Sequence, residues 1–99
     1  MVPEAMLQAV IARRAEILAL AARYGATQVR LFGSVVRGEA TTASDIDLLI
    51  KMDEARSLLD YVALMQDLED LLGHRIDLVI EPDLHPMIRE RVLAEAIPL

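Results

Sequence analysis

Two aspartates one residue apart, Asp45 and Asp47, open an otherwise aliphatic run over residues 45–51, Asp-Ile-Asp-Leu-Leu-Ile-Lys. Such a run predicts a strand. Its period of two puts Asp45, Asp47 and Leu49 on one face and Ile46, Leu48 and Ile50 on the other. A second aliphatic run, residues 75–80, places Asp77 and Val79 on one face and Ile76, Leu78 and Ile80 on the opposite one. With these strands as neighbours, three carboxylates converge while the Ile/Leu face packs on helices. Acids have poor strand propensity, and clustered carboxylates repel unless one binds a proton or a cation intervenes. Oxygen-only ligands favour Mg²⁺ or Mn²⁺ over zinc. Asp45, Asp47 and Asp77 are therefore the candidate metal ligands and catalytic groups. Three carboxylates can hold two ions, the arrangement that clamps attacking and leaving oxygens in phosphoryl transfer.

Gly33 and Ser34 supply the other half of the chemistry. They follow an alternating stretch, Gln28 to Phe32, and precede Val35 to Arg37 and Gly38. At such a strand-to-helix bend, backbone N–H groups point at an anion, and glycine lets a phosphate approach closely. Arg37 lies one helical turn beyond Ser34, and its fork of donors suits phosphate oxygens. Carboxylates for metal and amides for phosphate on adjacent strands describe a nucleoside triphosphate site, with Gly33, Ser34 and Arg37 as the nucleotide-binding residues. The plainer alternatives are an edge strand with solvated acids, an ordinary turn at Gly33-Ser34, and Arg37 as a surface ion-pair partner of Glu39 or another acid.

The elements that must position these groups are legible. A long amphipathic helix is expected over residues 3–24, with Met6, Val10, Ile17 and Ala21 at helical spacing and Gly25 as its stop. Strands are expected at 28–32, 45–51 and 75–80. A helix over 57–72 carries Leu58, Val62, Met65, Leu68 and Leu72 as its apolar stripe, with Ser57 as its cap. A last helix starts at Pro86, with Ile88 and Val92 on one side. His85 shapes its entry, and neither His85 nor His74 is expected to bind metal. The acidic run Asp67, Glu69, Asp70 reads as a solvated face, as does Arg13-Arg14. A helix long enough for a crossover makes the second and third strands parallel neighbours. The fold class is α+β: a small mixed sheet of about three strands packed against helices, covered mainly on one face.

The chain has 99 residues, which fits one domain over 1–99. With 55% hydrophobic and 3% aromatic residues, its core is aliphatic. A formal net charge of −6 argues against direct nucleic-acid binding as the main role. The absence of cysteine excludes a thiol nucleophile and a Cys-ligated zinc site. Without a signal-peptide n-region or a membrane-length apolar run, a soluble cytoplasmic protein is expected.

The segment Gly33 to Ile50, GSVVRGEATTASDIDLLI, resembles the signature of the DNA polymerase β-like nucleotidyltransferases: Gly-Ser, ten residues, then Asp-x-Asp. Asp77 matches that family's third aspartate. The short chain, with Asp83-Leu84-His85-Pro86 and Val92-Leu93-Ala94-Glu95 near its end, is similar to the minimal nucleotidyltransferases paired with HEPN-domain toxins. The resemblance implies an antitoxin that uses ATP and Mg²⁺, as two ions, to transfer AMP to a tyrosine of a HEPN RNase toxin within a hetero-oligomer. Two other readings remain open: an antitoxin that blocks its toxin by contact alone, and a small-molecule nucleotidyltransferase whose acceptor pocket a partner chain completes. The apolar tail, Ala94 and Ala96 to Leu99, is either a contact surface or part of the domain's own core.

Overall fold

The computed structural model describes residues 3–99. The expected 22-residue opening helix is two helices, α1 (Pro3–Ala12) and α2 (Arg14–Arg23). Arg13 separates them, with φ −99° and ψ 13°. The break has a packing cause: α1 lies against the short helix α3 (Ser34–Arg37), whereas α2 lies against the first strand and α4 (Leu58–Leu72). Met6, Val10, Ile17 and Ala21 are all buried, so both halves keep the apolar face read from the sequence.

β1 runs Ala26–Phe32, two residues earlier than expected. Its register against β2 (Ile46–Met52) shifts between Thr27 and Arg30, and Gln28 takes φ 52°. A bulge at this point hides the strand's beginning from a search for simple alternation. β1 and β2 are antiparallel, while β2 and β3 (Ile76–Ile80) are parallel with α4 as the crossover.

The sheet has four strands rather than about three, in the order β3-β2-β1-β4. β4 is the tail segment Ile97–Pro98, paired antiparallel with β1 after α5 (Pro86–Glu95). Two residues, one of them proline, carry no readable period. Leu99 is buried and donates its N–H to Val29 O at 2.9 Å, so the tail packs on the domain itself.

The sheet is covered mainly on one face, as expected, and only in part on the other. Ile46, Leu48 and Ile50 join α1, α2 and α4 in the main core. On the aspartate face, Leu49 packs with Phe32, Leu84 and Val92 in a second cluster. Of the last helix's expected apolar side, Val92 is buried and Ile88 is exposed. No helix among the described residues is long and apolar enough to cross a membrane.

Two residues of the acidic run are structural rather than merely solvated. Asp67 accepts the Tyr24 hydroxyl at 2.6 Å. Glu69 accepts the Ile76 N–H at 3.1 Å on the free edge of β3, where the Tyr61 hydroxyl also donates to Leu78 O. Side chains of α4 thus occupy the groups an edge strand would otherwise offer to another strand. Arg14 is likewise tied in, donating to Leu99 O. His85 has the predicted role at the entry of α5, its Nδ1 accepting the Met87 N–H at 3.1 Å.

Candidate active site

Strand register brings two of the three aspartates together. Asp47 is directly opposite Asp77 across the parallel β2–β3 pair, and Phe32 of β1 is opposite Asp47 on its other side. Gly33, the next residue, therefore turns beside Asp47. Its φ is +82°, and a Cβ built there would lie 2.0 Å from Asp47 Oδ2. Only glycine accepts both the backbone conformation and the contact.

From Gly33 the chain enters α3, a single turn that buries Val35 against the core. Arg37 N–H donates to Gly33 O at 3.1 Å, and Gly38 closes the turn in the left-handed conformation. The turn places the guanidinium on the aspartate side, where its positive field reaches Asp47.

Asp47 is half-buried, and its carboxyl is pushed from 3.8 up to about 6. Burial is the largest cause. The Asp77 carboxylate, a hydrogen bond shared with Asp77, and the Asp45 carboxylate follow in that order, and Arg37 opposes them. Asp77 is exposed on the open side of the site. Asp45 stands just before β2, exposed, with Arg75 Nε at 4.0 Å from its Oδ1. It acts on Asp47 through its charge. Among the described residues, no three His, Cys, Asp or Glu side chains are gathered as they stand to hold a metal ion. The donor set nevertheless suits a hard divalent cation: it is all oxygen, and the crowding that lifts Asp47 is the repulsion a cation removes.

One member of the site was not singled out from the sequence. Glu95, the last residue of α5, accepts the Gly33 N–H at 2.7 Å through Oε2. Its two carboxylate oxygens also take the Arg37 Nη1 at 3.1 and 3.0 Å. The Arg37–Glu39 ion pair is present too, at 3.1 Å. Glu39 first and Glu95 second hold the guanidinium above its ordinary value. Glu95 and Gly33 are 62 residues apart, so no local spacing rule links them.

An open groove of about 680 Å³ lies along the outer side of β3 and is lined by Tyr61, Leu78, Val79, Pro82 and Asp83 among others. None of the six predicted site residues lines it. Gly33, Asp47 and Asp77 adjoin at the Gly33–Asp47 bend instead.

The family model described as "Nucleotidyltransferase domain" matches residues 16–99. The chain belongs to that family. This nucleotidyltransferase is 44% identical over 75 residues to the protein adenylyltransferase MntA of Thermococcus cleftensis, a match covering 76% of each chain. A solved structure provisionally named a minimal nucleotidyltransferase is 55% identical, with a TM-score of 0.84, covering 94% of this chain and 95% of that one. The fold also recurs, at 22% identity and a TM-score of 0.70, in a toxin–antitoxin structure with AMP-PNP; the match covers 85% of this chain and 69% of that one. The expected family and fold class are borne out, the strand count aside. The enzyme is a nucleotidyltransferase and its substrate is a nucleotide.

Proposed function

We propose that this nucleotidyltransferase is an antitoxin that moves AMP from ATP onto a protein hydroxyl, a tyrosine of a HEPN RNase toxin, and so neutralises it. The observation that carries the reading is the Gly33 bend seated on Asp47, with Asp77 in register beside it. A glycine turn of the kind that suits an anion, beside a carboxylate pair, supports the reading. The 44% identical relative, named a protein adenylyltransferase, supports a protein as the acceptor. The fold shared with an antitoxin seen with its toxin is in keeping with a hetero-oligomer.

Asp47 and Asp77, with Asp45 at the entrance to β2, would hold Mg²⁺, as two ions, with Mn²⁺ as a substitute. When bound, such ions supply charge neutralisation on the phosphate oxygens. The chain's own residues do the rest. Gly33 N–H, Ser34 and the Arg37 guanidinium bind the β- and γ-phosphates and hold the triphosphate in line. The acceptor oxygen attacks the α-phosphorus. A new O–P bond forms as the bond between the α-phosphorus and the oxygen bridging to the β-phosphate breaks, and pyrophosphate leaves. Asp77, open to solvent, accepts the hydroxyl proton.

The test uses the chain together with a HEPN-domain toxin. Label from the ATP α-phosphate is expected on the toxin, and label from the γ-phosphate is not. Asp47→Asn removes the labelling while the circular dichroism spectrum is unchanged. A toxin neutralised equally well by Asp47→Asn, with no label transferred, establishes the contact-only antitoxin in its place.

A further inference from the structure

The carboxylate of Glu95 sits where the proposed function requires a phosphate. It takes the Gly33 N–H at 2.7 Å and the Arg37 guanidinium at 3.0 and 3.1 Å, with its side chain only 15% exposed. A two-oxygen anion on a backbone amide and an arginine is the bonding pattern of a bound phosphate.

The placement has no helix-forming reason. Glu95 is the last residue of the ten-residue helix α5, where the helix macrodipole disfavours an acid. The helix is anchored without it: Val92 is buried one turn earlier, and β4 pairs with β1 immediately after. What the carboxylate meets is the anion cradle.

The donor count then makes the contact competitive. Gly33 has one N–H hydrogen, which cannot serve Glu95 and a phosphate oxygen together at full strength. Arg37 is already shared between Glu39 and Glu95. We infer that Glu95 is an internal competitor for the triphosphate, which must displace its carboxylate from Gly33 and Arg37 to bind. Glu95 thereby sets the nucleotide affinity of the site. The inference rests on the reading of Gly33 and Arg37 as phosphate ligands.

A group that holds the cradle closed for most of the time multiplies the intrinsic affinity by the open fraction, which raises the dissociation constant. Glu95→Gln keeps the shape but weakens the anionic hold. Titration calorimetry with ATP and Mg²⁺ is expected to give a dissociation constant about five- to tenfold lower for Glu95→Gln than for the unaltered chain. Arg37→Ala is expected to weaken binding. Weaker binding by Glu95→Gln overturns the inference, because Glu95 then prepares the cradle instead of competing for it. Unchanged binding overturns it as well. If neither the unaltered chain nor Glu95→Gln binds ATP, the phosphate-ligand reading fails together with the inference. If ATP binds and Arg37→Ala has no effect, Arg37 is not a phosphate ligand and the inference falls with that assignment.

A second measurement avoids the variant. In the unaltered protein, saturation with pyrophosphate and Mg²⁺ is expected to shift the Glu95 carboxyl carbon and the Gly33 amide resonances together, as the ion pair breaks. A Gly33 amide that shifts while the Glu95 carboxyl stays put rules out displacement.

Discussion

Gly33 and Asp47 leave no room between them for even a methyl group, since a Cβ on residue 33 would stand 2.0 Å from Asp47 Oδ2. The contact joins the two halves of the site. One residue bends the backbone at the proposed phosphate position; the other carries the carboxylate.

Gly33→Ala is therefore expected to do two kinds of damage. The left-handed backbone at φ +82° strains any Cβ, and the new methyl pushes Asp47 off its strand position. The expected loss is about 2 kcal/mol of stability, from backbone strain and overpacking combined, with transfer activity abolished. Urea unfolding at pH 7 and the α-phosphate labelling assay check the two separately. A variant with full activity contradicts the assigned contact.

Asp47 predicts an unusual pH dependence. Its folded carboxyl titrates near 6 against an ordinary 3.8, so between those values the folded chain holds more protons than the unfolded one. Stability falls as pH rises through this window, the reverse of a salt-bridged acid. Discounted for the group's open side, the effect is on the order of 1 kcal/mol. Chemical denaturation of metal-free protein between pH 4 and 7 is expected to show the decline. Asp47→Asn is expected to flatten it, and Mg²⁺ at pH 7 to raise the stability of the unaltered chain but not of this variant.

Asp77 contributes to that shift through its charge and a shared hydrogen bond, while burial contributes most. Asp77→Asn is accordingly expected to lower the Asp47 titration midpoint without returning it to 3.8. Carbon-detected NMR of the Asp47 carboxyl reads this directly. A midpoint that does not move shows the two side chains to be electrostatically separate.

The free edge of β3 offers a test of how the carboxylate platform is held. Glu69 caps the Ile76 N–H one residue before Asp77. Glu69→Ala leaves that donor without its partner and is expected to cost about 1 kcal/mol. Amide exchange at Ile76 is expected to quicken. Retained protection there would mean that another group holds this edge.

Local patterns made much of the molecule readable before folding. Strand alternation identified β2 and β3 and put Asp47 and Asp77 on one face, because side-chain direction in a strand depends only on residue parity. The crossover length of α4 gave the parallel pairing for the same kind of reason. The spacing from Gly33-Ser34 to Asp45 and Asp47 pointed to the nucleotidyltransferase family. Tertiary packing decided what no window of neighbouring residues records. It split the first helix at Arg13, because α1 and α2 pack against different elements. It buried Leu49 beneath α5 on the face read as belonging to the acids. It made a strand of Ile97 and Pro98 by supplying β1 as their partner. Above all it carried Glu95 across 62 residues to the Gly33 amide. Residue type and period are properties of the chain itself, whereas the meeting of one carboxylate with one distant N–H exists only once the sheet and α5 have packed.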